Sequence, residues 1–116
     1  MIIYGASDIG RVRSSNQDSF ITGKMSDSVG FAVVCDGMGG ANGGNIASEI
    51  ATNVISEHIK SAYRDNMGSN SIRYLLMSAV IAANAEIYDR AQEDETVLGM
   101  GTTVVAVVVV DNSSHI

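Results

Sequence analysis

The chain has no proline, no tryptophan, one cysteine, and seven lysines and arginines among 116 residues. Each shortage excludes something. Without proline there is no proline-rich linker. A lone cysteine, Cys35, cannot close an internal disulfide, which fits a reducing compartment. Thirteen acidic residues leave a formal net charge of −6, against the clustered lysine and arginine that broad nucleic-acid binding requires. The longest apolar run, VVAVVVV at 104–110, is far short of the ~20 residues of a membrane helix. The opening MIIYGASDIG has no basic segment leading into a long apolar one, as a signal peptide would. No repeat or low-complexity tract interrupts the chain. The expectation is a soluble, acidic, cytoplasmic protein with no nucleic-acid or membrane partner, forming one domain or part of one.

What is present is apolar and ordered by period. Hydrophobic residues make up 46% of the chain, too many for a disordered polypeptide. MIIYGAS (1–7) and SFITGK (19–24) lean towards strands, SDSVG (26–30) is turn chemistry, and FAVVCD (31–36) has the length and continuity of a buried strand. These three segments predict an antiparallel meander. The period then lengthens. Ile46, Ile50, Val54 and His58 recur at i+4, with Ala47, Ala51, Ile55, Ile59 and Ala62 beside them. That predicts a helix from an N-cap at Asn45 to about Arg64. DNMGSNS (65–71) breaks it. A second helix places Ile72, Leu75, Leu76, Ala79, Val80, Ala83, Ile87 and Ala91 on one face. LGMG (98–101) is a connector, and the β-branched TTVVAVVVVD (102–111) reads as a central strand. Grouped strands and helices indicate α+β architecture. The strands are apolar on both sides, so a second layer is expected beyond the face that meets the helices.

One stretch carries most of the chemistry. In FAVVCDGMGGANGGNIAS (31–48), Asp36 ends the apolar run and five glycines follow within eight residues. Two readings of Asp36 stand side by side. A carboxylate followed by Gly37, whose backbone carbonyl can turn freely, suits a hard cation. An aspartate starting a tight turn suits the same residues. A phosphate-cradling loop fails on spacing: the P-loop lysine is replaced by Asn45, and G-x-G-x-x-G would need glycine at Asn42. In RVRSSNQDS (11–19), Arg13 offers a guanidinium fork for phosphate and Asp18 a second carboxylate. His58 and His115 have no partners at zinc-ligand spacing. Cys35 reads as buried filler, and Thr102 and Thr103 as strand starters.

SDIGRVRSSNQDSF (7–20), FAVVCDGMGGANGGNIAS (31–48) and GMGTTVVAVVVV (99–110), in that order with two helices between the last two, closely resemble the metal-dependent serine/threonine protein phosphatases of type 2C. The resemblance implies a four-layer α-β-β-α sandwich of two antiparallel sheets flanked by helix pairs. It explains the doubly apolar strands. It implies two divalent ions, Mn or Mg, with a water or hydroxide between them attacking phosphorus in line. By motif, Asp36 would bridge the ions, the Gly37 carbonyl would bind one, Asp18 would act in the metal–water shell, and Arg13 would hold the substrate phosphate. Two positions depart from the pattern: Gln17, where many members carry glutamate, and Met38, where some carry a proton-donating histidine. Family domains are roughly twice this length, and their later metal-binding aspartates find no counterpart here. The resemblance therefore implies that residues 1–116 form the N-terminal portion of one catalytic domain, whose partners are phosphorylated proteins. This chain alone is expected to be inactive. It is also expected to self-associate as a homodimer or strand-exchanged assembly, through an unpaired edge on TTVVAVVVVD and through exposed apolar sheet faces. The alternative is a natural short, non-catalytic paralogue that binds phosphoproteins or serves as an interaction module.

Overall fold

The computed structural model describes residues 2–8, 18–38, 40–94 and 99–110, with the side chains of 2–8, Asp18, Met38 and 40–42 left aside. Its elements are β1 (Ile2–Asp8), β2 (Asp18–Ser26), β3 (Val29–Met38), α1 (Gly40–Ala62), α2 (Ser69–Glu93) and β4 (Gly101–Val110). They form an α+β unit in which one antiparallel sheet, ordered β1-β4-β3-β2, lies under two helices.

That order corrects the expected meander. β2 and β3 do form a hairpin, but β1 pairs with β4, with Ile2 opposite Val110 and Asp8 opposite Val104. β4 also pairs with β3 along its whole length, from Val29 opposite Val110 to Met38 opposite Gly101. The strand expected to have a bare edge therefore sits between two neighbours. Its valine content is the reason: β-branched residues on both faces suit the interior of a sheet. The free edges among the described strands belong to β1 and β2.

Strand alternation divides the sheet into two faces. Val29, Phe31, Val33 and Cys35 of β3, with Val104, Ala106 and Val108 of β4, point towards the helices and are buried. Ala47, Ala51, Ile55 and Ile59 of α1 meet them, and Ile72, Leu75, Leu76, Ala79, Ala83, Ile87 and Ala91 of α2 complete the core. Ser48, Thr52 and Ser56 form a buried hydroxyl stripe on α1. Their protons go back to the helix: Ser48 to the Asn45 carbonyl, Thr52 to that of Ser48 and Ser56 to that of Asn53. The stripe thus buries no unpaired donor, and its small side chains let α1 lie close to β2, where the Ser48 and Ser19 hydroxyls are 3.3 Å apart.

The other face of the sheet is open. Phe20 lies opposite Val34, and Val34 opposite Val105, an apolar row whose members are 75%, 48% and 48% exposed. This is the doubly apolar character read in the strands. Helix α2 is also less one-sided than its core face suggested, because Tyr74, Met77, Ile81 and Tyr88 are exposed on it.

The expected N-cap is corrected as well. α1 begins at Gly40 rather than after Asn45, so Gly40, Gly43 and Gly44 lie in its first turns instead of a long loop. Gly43 has a packing reason to lack a side chain: a Cβ there would come within 3.0 Å of Met100 Cβ. Asn66, in the turn between α1 and α2, has φ 67°, a left-handed conformation that asparagine tolerates better than most residues.

Candidate functional site

The site readings converge on one end of the sheet, where β3 delivers its last residues to the start of α1. Asp36 and Gly37 are still in the strand. The helix starts three residues beyond Gly37, which leaves the Asp36–Gly37 step near the end of the strand. Gly37 is buried and Asp36 half-buried. By alternation, Asp36 belongs to the open face with Val34, and Gly37 to the helix-covered face with Cys35.

Two neighbours flank Asp36 in register. Asp18, the first residue of β2, stands directly opposite it on one side. Thr103 stands opposite on the other. Like-charged residues at directly opposed positions weaken a strand pair, so two aspartates facing each other call for a compensating cation. Aspartate carboxylates and a backbone carbonyl are oxygen donors, the chemistry that magnesium, manganese and calcium prefer. Residue types of this kind suit a hard divalent ion, and two carboxylates with one carbonyl are fewer than the roughly six oxygens it takes. Among the described residues, no three histidine, cysteine, aspartate or glutamate side chains come together as a metal cluster.

Thr103 holds Asp36 by its backbone. The Asp36 N–H donates to Thr103 Oγ1 at 3.3 Å, and that hydroxyl donates to the Asp36 carbonyl at 3.4 Å. Thr102, one residue earlier, lies opposite Gly37 and donates to the Thr103 carbonyl at 2.8 Å. Burial pushes the Cys35 thiol up to about 12, with a hydrogen bond to Thr102 pulling the other way. A thiol held protonated in this way is a packing group rather than a nucleophile, as the sequence suggested.

The sequence-derived residues are thus partly brought together. Asp18, Asp36 and Gly37 share one sheet end. Arg13 and Gln17 lie outside the described residues, as do His115 and the tail 111–116. His58 sits half-buried on α1, far along the helix from the Asp36–Gly37 step. What the sequence reading missed is Thr103, taken only as a strand starter. The signal available was the Thr-Thr pair opening a strand long enough to run beside all of β3.

Comparison with known proteins places this arrangement. The family profile for protein phosphatase 2C matches residues 5–116. A protein phosphatase 2C-type protein of Streptococcus pyogenes is 37% identical over 109 residues, covering 93% of this chain and 43% of that protein. The serine/threonine phosphatase stp of Listeria monocytogenes is 32% identical over 102 residues, covering 88% of this chain and 40% of its own length. Among solved structures, the S. agalactiae serine/threonine phosphatase superposes with a TM-score of 0.72 at 32% identity, over 96% of this chain and 45% of that one. The chain spans about two-fifths of the length of these sequence relatives. With the profile matched over nearly its full length and the sheet and helices aligned, the chain belongs to the protein phosphatase 2C family.

Proposed function

We propose that this chain forms the N-terminal part of a metal-dependent phosphatase site acting on phosphoserine and phosphothreonine in proteins. The observation that carries the reading is the direct opposition of Asp18 and Asp36 at the sheet end, next to Gly37. Mn or Mg, when bound, would supply charge neutralisation and an activated water for in-line attack on phosphorus. Asp36 would hold both ions, Gly37 would give one of them its backbone oxygen, and Asp18 would orient the water shell. Arg13 would bind the phosphate through paired N–H donors. Met38 has no proton to give a leaving group, so that proton would come from solvent.

These donors are too few for two ions. We therefore propose that the 116-residue chain on its own hydrolyses phosphate esters weakly or not at all, and that the open sheet face drives its self-association. None of its described helices is long and apolar enough to cross a membrane, and cytoplasmic residence remains part of the proposal. The test is Mn-dependent hydrolysis of p-nitrophenyl phosphate and a phosphothreonine peptide by the chain and by Asp36→Asn. Trace turnover lost in the variant supports the reading. Robust turnover by the chain contradicts its proposed inactivity. Phosphopeptide binding with no turnover, unchanged in the variant, would favour a non-catalytic binding module.

A further inference from the structure

We propose that Thr103 is a positioning residue for the metal end of the sheet: its hydroxyl, bonded to both the N–H and the carbonyl of Asp36, sets the backbone from which the Asp36 carboxylate and the Gly37 carbonyl are presented. The proposal rests on the metal-site reading of Asp36.

The geometry is specific. Thr103 is the direct cross-strand partner of Asp36. One hydroxyl accepts from the amide at 3.3 Å and donates to the carbonyl at 3.4 Å, so it touches the peptide units on either side of the Asp36 Cα. Those two peptides set φ and ψ at Asp36, and with them the direction in which its carboxylate leaves the strand. Gly37, the next residue, has no Cβ to restrict its own backbone. Without an external hold, the Gly37 carbonyl would be the least determined donor of the set.

The adjacent hydroxyl acts within its own strand. Thr102 lies on the helix-covered side, opposite Gly37, and donates to the Thr103 carbonyl at 2.8 Å. Thr102 thus spends its hydroxyl proton within β4, while the Thr103 hydroxyl bonds across to the Asp36 backbone. A β-branched residue at 103 would satisfy the strand equally well if only propensity mattered. A hydroxyl is needed only if the Asp36 backbone must be held. Weak, flexible donors lose affinity through the entropy of ordering them, and a preorganised donor avoids that cost. Supporting residues of this kind orient ligands without touching the metal.

The test compares Thr103→Val, which keeps the shape and removes the hydroxyl, with Thr103→Ser, which keeps the hydroxyl. Two readouts on the 116-residue chain separate the claims. In metal-free buffer, Thr103→Val should raise amide hydrogen exchange at Asp36 about fivefold, the loss expected for one ordinary hydrogen bond, with protection at Ile55 and Leu76 unchanged. In a Mn2+ titration followed by paramagnetic broadening of the Cys35–Gly37 amide signals, Thr103→Val should need several-fold more Mn2+, with Thr103→Ser close to the parent chain. An unchanged Asp36 amide in Thr103→Val, or equal impairment by serine and valine, overturns the positioning role while leaving the metal reading intact. Broadening that persists unaltered in Asp36→Asn overturns the metal reading, and the proposal with it.

Discussion

Asp36 on β3 stands opposite Asp18 on β2 in direct antiparallel register, so two acidic positions meet at one end of the sheet. Without a cation, this pairing opposes folding. Replacing either aspartate by asparagine should leave the metal-free chain as stable as the parent or more so, by a few tenths to about 1 kcal/mol. Urea denaturation in the presence of a chelator measures this. A clear loss of stability in both variants would mean that the carboxylates are structural.

Much of this was legible in the sequence because periodicity reports burial. The i+4 rows on α1 and α2 gave the helical faces, and the valine run of β4 marked an interior strand. Strand partners were less legible. No local feature of MIIYGAS says that it pairs with residues 101–110 instead of the next strand, because that choice depends on how β4 closes the sheet after two helices. The helix start at Gly40 was obscured for a related reason. Glycine disfavours helix locally by about 1 kcal/mol per residue, and the reason for glycine at 43, the close approach of Met100, is a tertiary contact. The Thr-Thr pair showed a strand start but not that Thr103 bonds the Asp36 backbone, because that partner lies across the sheet.

Cys35 makes the stability of the chain fall in alkali. Its thiol is raised from 9.0 to about 12 by burial. Below pH 9 both folded and unfolded states keep the proton, and this contribution to stability is fully present. Between pH 9 and 12 the unfolded thiol ionises while the native one does not, so stability declines as pH rises. The loss should be on the order of a few kcal/mol across that window. Cys35→Ala should flatten the decline relative to the parent, as measured by urea midpoints from pH 8 to 11. Identical slopes would contradict the buried, protonated thiol.

Gly99 and Gly68 should respond oppositely to alanine. Gly99 has φ +85°, where a side chain costs about 1–2 kcal/mol. Gly68 has φ −74° and open space where a Cβ would go, so Gly68→Ala should be neutral or slightly stabilising by reducing unfolded-state entropy. Thermal melting of the two variants checks the pair, and equal melting temperatures would contradict it.

The bare row of Phe20, Val34 and Val105 should make the chain associate. Its basis is this open face, since β4 has no free edge. Sedimentation velocity should show mass rising with concentration, and Phe20→Glu, placing charge on a residue that is 75% exposed, should reduce it. A clean monomer at high concentration would contradict the expectation.

The central claim is that Asp36 anchors a divalent cation, and calorimetric titration of Mn2+ into the chain and into Asp36→Asn tests it most directly. The account predicts weak but measurable binding by the chain and none by the variant. Binding of equal strength in both would contradict it.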